Sequence, residues 1–176
     1  MSQFIADVKK IRERARNQMQ AGAVTGGYKA DQHQVSNVLN EVLATEIVCA
    51  LRYKCHYYMA KGINSDSVRA EFLQNANEEQ QHADWVAERI VQIGGEPNFD
   101  PQSLTSRSHA EYKPCDSLTD MIKEDLVAER IAVESYSEII RWLGNDDPTS
   151  RVLMEQILKT EEEHADDMKT LLERMP

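Results

Sequence analysis

Residues 79–84 read Glu-Gln-Gln-His-Ala-Asp, and residues 161–166 repeat the pattern as Glu-Glu-Glu-His-Ala-Asp. A further glutamate, Glu46 or Glu129, lies about 33 positions before each copy. Seven positions after each of these two glutamates is a tyrosine, Tyr53 or Tyr136. Three residues make nearly one helical turn, so the glutamate and the histidine of each Glu-x-x-His segment share one helical face. The repeat therefore predicts two equivalent helical hairpins.

Glycine and proline divide the chain into four long stretches that contain neither residue. All seven glycines and all five prolines lie outside residues 34–61, 65–93, 116–143 and 149–174. Within these stretches the apolar residues recur at steps of three and four, which is the period of a helix that buries one face. We therefore expect an all-α fold, a four-helix bundle with a long crossover over residues 94–115 between its second and third helices and an extra N-terminal helix.

The spacing also predicts that the glutamates lie level with one another in the bundle. Residues equidistant from a turn face each other across an antiparallel hairpin, and the midpoint of Glu46 and Glu79 is 62.5, beside Gly62. The midpoint of Glu129 and Glu161 is 145, inside the segment that runs from Gly144 to Pro148. Both midpoints fall on predicted turns, so each pair faces across its own hairpin.

Four glutamates at one level of an apolar core require positive charge, because buried carboxylates are costly and repel one another. Two divalent ions would balance four negative charges, and mixed carboxylate and imidazole ligands suit iron or manganese. A single Glu-x-x-His in a chain with 30 acidic residues would indicate only a solvated helix surface. The doubled set favours a two-metal site whose predicted ligands are Glu46, Glu79, His82, Glu129, Glu161 and His164.

Composition restricts the compartment and the class of protein. The formal charge is −10, and the longest uninterrupted apolar run is only residues 47–51, so we expect no membrane segment. The three cysteines, Cys49, Cys55 and Cys115, have no Cys-x-x-Cys spacing. They favour a reducing cytoplasm over a disulfide framework or a zinc ribbon.

Residues 1–33 are predicted to be a basic amphipathic extension that precedes a bundle domain of residues 34–176. Residues 1–30 contain six basic and two acidic side chains, a net charge of 6 − 2 = +4. Such a segment is suited to binding DNA phosphates. Its helical spacing favours instead the docking of an apolar stripe on the bundle or on a neighbouring subunit, by Phe4, Val8, Ile11 and Ala15.

From about residue 36 to residue 172 the chain resembles the ferritin-like superfamily, and within it the bacterioferritins. The resemblance rests on the two Glu-x-x-His segments, on Glu46 with Tyr53, and on the stretch Leu126-Val127-Ala128-Glu129-Arg130. It implies that Glu79 and Glu161 bridge two iron ions per subunit, that Glu46 and His82 hold one ion, and that Glu129 and His164 hold the other. Tyr53 is then expected to bond to the site or to donate an electron to it. Manganese or zinc would be possible substitutes for iron in crystals.

The resemblance implies a ferroxidase and iron-storage protein that oxidises Fe(II) with dioxygen or hydrogen peroxide and stores the product in a homo-oligomeric shell. Gln80 stands where bacterioferritins carry their haem-binding methionine, so no haem is expected. Only 12 residues follow His164, too few for the fifth helix of a 24-subunit shell. The extension of more than 30 residues before the first bundle helix resembles that of the twelve-subunit mini-ferritins and their thioferritin relatives, which favours a dodecamer. The alternatives are a DNA-binding protective protein similar to the mini-ferritins and a di-metal peroxidase or catalase.

Two further residues near the predicted site are open to more than one interpretation. Cys49 lies one turn from Glu46 and is expected to pack in the core, the alternatives being an approach to the metals or a pair with Cys115. His56 is expected on the Tyr53 side of the bundle as a partner of a ligand.

Overall fold

The computed structural model describes residues 7–62 and 65–175 of the chain. Its helices are α1 Val8–Asn17, α2 Gln32–Met59, α3 Ser65–Gln92, α4 Leu104–Arg107, α5 Leu118–Leu143 and α6 Pro148–Glu173. No strand occurs within those described ranges. The predicted all-α bundle with its crossover and its N-terminal helix is confirmed, while the short α4 inside the crossover was not predicted.

The long helices begin where side chains satisfy the free N–H groups of the first turn. Asp31 accepts hydrogen bonds from the backbone N–H groups of His33 and Gln34 at the start of α2. Ser117 begins α5 in the same way, and Asp147 begins α6 with Pro148 in the first turn. These are the capping residues and the proline position that helix N-termini prefer. The local sequence therefore determines where α2, α5 and α6 begin.

The apolar core forms two layers, one at each end of the bundle. One layer is built by the first part of α2, the last part of α3, the last part of α5 and the first part of α6, and its residues include Leu39, Leu43, Ile90, Tyr136, Met154 and Ile157. The other layer is at the opposite end and includes Tyr53, Phe72, Ala76, Met121, Ile122 and Met168. Every predicted metal ligand lies between the two layers in the sequence of its own helix, so the site is at mid-bundle.

A buried polar cluster fastens the crossover to the second layer. Arg52 Nε donates to Asp125 Oδ1 at 2.8 Å, and His56 Nδ1 lies 2.8 Å from Asp125 Oδ2. On their other sides, Arg52 Nη1 donates to the backbone oxygen of Glu111 at 2.9 Å, and His56 Nε2 donates to that of Lys113 at 3.0 Å. The crossover is thus held by two buried side chains of α2 that share one carboxylate.

The N-terminal segment contacts the bundle after α1, where Val24 and Ala30 pack against the first apolar layer. The Tyr28 hydroxyl donates to Asp147 Oδ2 at 2.8 Å. All ten residues of α1 are exposed, so Val8, Ile11 and Ala15 do not dock on the chain's own bundle as one reading of the sequence predicted, and Phe4 lies outside the described residues. No helix in the described ranges has the length and the apolar character needed to cross a lipid bilayer.

Candidate metal centre

The structure brings all six predicted ligands together at the middle of the bundle. Helices α2 and α5 each contribute one glutamate, and α3 and α6 each contribute a Glu-x-x-His segment. None of the six residues is more than 2 % exposed. Their donor atoms form two overlapping groups, each within 4.8 Å, namely Glu46, Glu79, His82 and Glu161, and Glu79, Glu129, Glu161 and His164. The two glutamates common to both groups are those that the family resemblance assigns as bridges.

Both imidazoles point the same ring nitrogen at the centre. His82 Nδ1 lies 3.0 Å from Glu161 Oε1 and 3.2 Å from Glu46 Oε2. His164 Nδ1 lies 3.4 Å from Glu79 Oε1 and 3.7 Å from Glu161 Oε2. Each nitrogen thus faces carboxylate oxygens from more than one helix, as a ligand of a shared pair of ions would.

Burial and mutual repulsion shift the protonation of the carboxylates. Burial and the charge of Glu79 raise the pKa of Glu46 to about 8. Burial and the charges of Glu79 and Glu161 raise the pKa of Glu129 well above its usual range. For Glu79 burial and the charge of Glu161 act in the same direction, but the neighbouring imidazoles of His164 and His82 outweigh them and the pKa is lowered. The metal-free centre therefore retains protons that metal ions would displace.

Several atoms of the centre have no hydrogen-bond partner among the described residues. They are Glu79 Oε1, Glu129 Oε2, Glu161 Oε1 and His164 Nδ1. Buried polar atoms are almost always satisfied, and an unpaired one is costly. Because these atoms converge on one point and three of them are carboxylate oxygens, a cation satisfies them best. The donor set of four carboxylates and two imidazoles fits iron or manganese.

Two tyrosines form hydrogen bonds across the bundle to Glu46 and Glu129, the glutamates that belong to only one donor group each. Tyr53 on α2 donates its hydroxyl hydrogen to Glu129 on α5, and Tyr136 on α5 donates to Glu46 on α2. Both tyrosines are fully buried, and burial next to these carboxylates raises the pKa of each phenol well above its usual range. They therefore stay neutral donors. Tyr53 was a predicted site residue, whereas Tyr136 was missed, although the repeated seven-residue spacing pointed to it.

Changing either tyrosine to phenylalanine is expected to weaken metal binding without disturbing the bundle. The Tyr53→Phe variant loses the hydrogen bond to Glu129, and the Tyr136→Phe variant loses the one to Glu46. A hydrogen bond that supports a metal ligand is worth about 10- to 100-fold in metal affinity. Anaerobic titration with Co(II), followed by its visible absorbance, measures the effect. Tyr58→Phe is the matched control, because Tyr58 is 74 % exposed on α2. Unchanged affinity in both buried variants would show that the hydroxyls do not support the ligands.

His56 and Cys49 have structural surroundings rather than direct contacts with a ligand. His56 bonds to Asp125 and to the crossover, so its predicted bond to a metal ligand is not formed. Cys49 packs against Ala110 and Ala128 with its thiol 3.8 Å from Arg52 Nη2, and burial raises its pKa well above the usual value. Cys49 and Cys115 are both free thiols, so they do not form a pair.

Comparison with known proteins finds one matching family model and several similar sequences. The family model described as a ferritin-like domain matches residues 36–176. The bacterioferritin of Mycobacterium tuberculosis is 29% identical over 142 residues, which cover 80% of this chain and 85% of that protein. A nutrient stress-induced DNA-binding protein of a Nostoc species is 29% identical over 136 residues, covering 74% of this chain and 73% of that protein.

A solved structure extends the similarity to nearly the whole chain. It is described as a dodecameric thioferritin, the bacterioferritin-related protein of Bacteroides fragilis. It superposes with a TM-score of 0.79 and 25% sequence identity, and the match covers 93% of this chain and 92% of that one. The match thus omits only a small part of either chain.

Proposed function

We propose, because this chain belongs to the ferritin-like domain family, that it oxidises Fe(II) to Fe(III) at the mid-bundle site and stores the product inside a shell of its own copies. The observation that carries this proposal is the convergence of buried, unpaired carboxylate and imidazole atoms at one point. Iron storage is the role of the family. The oxidation step at this site is our proposal.

Each residue of the site has a distinct role in binding the substrate iron. Glu79 and Glu161 bind both ions, Glu46 and His82 complete one position, and Glu129 and His164 complete the other. Two Fe(II) ions would supply two electrons, which with two protons from water reduce dioxygen to hydrogen peroxide, or hydrogen peroxide to two molecules of water. Tyr53 and Tyr136 hold Glu129 and Glu46 in place by hydrogen bonds. Burial of all six ligands excludes bulk water, so the charges of the bound ions are balanced mainly by the glutamates.

The test is aerobic addition of Fe(II) to the metal-free protein, followed by the absorbance of the ferric product. We expect rapid oxidation by the wild type and rates near that of the protein-free solution for Glu79→Ala and His82→Ala, because each loses a ligand. Glu162→Gln, a change at an exposed residue of α6, controls for the loss of one negative charge. Equal rates in all four proteins would contradict the proposal, and rapid release of dioxygen from hydrogen peroxide would indicate a catalase instead.

The proposed assembly is a dodecamer in the cytoplasm. The thioferritin that matches nearly the whole chain is described as dodecameric, and closed symmetric shells are usual for homo-oligomers. The three free cysteines agree with a reducing compartment. Solution mass checks the subunit number, because a dodecamer has a mass near twelve times 20.1 kDa.

A second candidate function, DNA binding, is favoured by the exposure of α1. Its basic residues Lys9, Lys10, Arg12, Arg14 and Arg16 are all exposed, and the Nostoc relative is described as DNA-binding. Deletion of residues 1–30 should then abolish a DNA mobility shift that weakens steeply with salt. Exchange of the three arginines for glutamine should do the same, whereas exchange of Val8 and Ile11 for serine should not. No shift at low salt would reject this function.

A further inference from the structure

The two halves of the metal centre differ at the residue that immediately precedes each Glu-x-x-His segment. In the first repeat this residue is Glu78, and in the second it is Thr160. Glu78 Oε2 lies 2.7 Å from His164 Nε2, on the side of the imidazole that faces away from the centre. The side chain of Glu78 is 39% exposed and that of His164 is 3% exposed. A carboxylate of α3 thus reaches across to orient the histidine of α6.

This hydrogen bond fixes which ring nitrogen of His164 is available to a metal. A carboxylate accepts hydrogen bonds, so Nε2 is the nitrogen that donates to Glu78 and Nδ1 is directed at the centre. Nδ1 has no hydrogen-bond partner within the described part of the chain, although three carboxylates surround it, Glu79, Glu129 and Glu161. His164 is therefore held in the orientation of a metal ligand before any ion binds. Carboxylates that support a metal-binding histidine in this way increase its affinity for the metal.

His82 is held differently. Its Nδ1 is hydrogen-bonded inside the centre to Glu46 at 3.2 Å. The ring of Trp85 packs beside that of His82, with the two ring centroids 5.6 Å apart. In residues 7–62 and 65–175, every carboxylate that contacts His82 is itself a member of the centre. By the symmetry of the repeat, Thr160 occupies the position from which a carboxylate would support His82.

We propose that Glu78 is a positioning residue that makes the two metal positions unequal in affinity. The metal position held by Glu129 and His164 then fills before the one held by Glu46 and His82. The inference rests on the proposed two-metal site and adds the order in which divalent cations enter it. Glu78 acts through His164 and is not itself a ligand. The identical ligand sets of the two halves would by themselves give no such order.

The test measures occupancy at each position rather than turnover. Crystals of the wild-type protein are loaded anaerobically with one Co(II) per chain, and anomalous difference density gives the occupancy of the two positions. We expect occupancy at Glu129 and His164 to exceed that at Glu46 and His82 by about 10-fold or more, the range over which a supporting carboxylate acts. Titration in solution should accordingly show two binding steps.

Two reciprocal substitutions separate the proposal from a general effect of charge. Glu78→Thr removes the supporting carboxylate and should bring the two occupancies toward equality. Thr160→Glu supplies a carboxylate to His82 and should raise the occupancy of the position of Glu46 and His82. Glu163→Gln is the matched control, because Glu163 is an exposed residue beside His164 that pairs with Lys159, and it should leave the order unchanged.

The outcomes distinguish this inference from the proposed function. Equal occupancy of the two positions in the wild type would overturn the inference while leaving the two-metal site intact. An unequal occupancy that persists unchanged in Glu78→Thr would overturn it as well, because the order would then have another cause. Failure of the wild type to bind Co(II) at either position would instead remove the proposed function.

Discussion

Glu129→Gln is expected to destroy one metal position and at the same time to stabilise the metal-free protein. Loss of a direct ligand should cost more than the roughly 100-fold upper range for a supporting residue. Glu129 is buried beside Glu79 and Glu161, which raises its pKa well above the usual range. A carboxylate whose pKa is raised by folding binds more protons in the folded chain than in the unfolded chain at neutral pH. Its contribution to stability is therefore lost as the pH rises.

The neutral amide removes that pH-dependent cost, since it has nearly the shape of the carboxylic acid and needs no proton. We expect the metal-free variant to be more stable than the metal-free wild type at pH 7, with a higher Tm, because the amide needs no proton when it is buried. The difference should shrink as the pH falls below about 4, where the glutamate becomes protonated in the unfolded chain as well. Thermal unfolding across this range, with Glu134→Gln at an exposed position of α5 as control, makes the measurement. A variant less stable than the wild type at pH 7 would refute this account.

Asp125→Ala should cause a large loss of stability at a site outside the metal centre. Asp125 is fully buried between Arg52 and His56, which are themselves 1% and 0% exposed. Removing the shared carboxylate leaves both donors buried without their acceptor, and breaking a buried pair in this way costs about 3 to 5 kcal/mol. For a chain of this length that corresponds to a fall of roughly 6 to 20 °C in Tm.

A second measurement tests whether the crossover is released as well. Ala110 of the crossover covers the Cys49 thiol together with Ala128, so alkylation of Cys49 reports opening of this segment. In a background with Cys55 and Cys115 changed to serine, Asp125→Ala should make Cys49 react much faster than in the parent protein. Glu138→Ala, which breaks an exposed pair with Arg141, should leave both Tm and reactivity unchanged. If Cys49 reacts at the same rate with and without Asp125→Ala in this background, the cluster does not hold the crossover closed.

The parts of the molecule that the sequence predicted well are those governed by repetition along one helix or across one turn. The four long helices follow from the positions of glycine and proline, and the level of the glutamates follows from the spacing around Gly62 and Gly144. The gathering of the six side chains at mid-bundle is therefore visible in the sequence. Their role as metal ligands remains a prediction.

The parts that could not be predicted depend on contacts between distant segments. The Arg52–Asp125–His56 cluster joins α2 and α5 to the backbone of the crossover, and no periodic pattern in the sequence indicates the path of that connection. Glu78 looks like any solvated glutamate of an acidic helix until the position of His164 is known. The helix α1 carries an apolar stripe that suggested docking, but spacing alone does not specify a surface to receive it.

The crosswise tyrosines have a consequence for how the centre is assembled during folding. Tyr53 belongs to the first hairpin and bonds to the second, and Tyr136 does the reverse. A hairpin produced on its own would present a tyrosine without its acceptor and a glutamate without its donor. The two crosswise hydrogen bonds, and with them the complete set of predicted ligands, therefore form only when both hairpins have packed together.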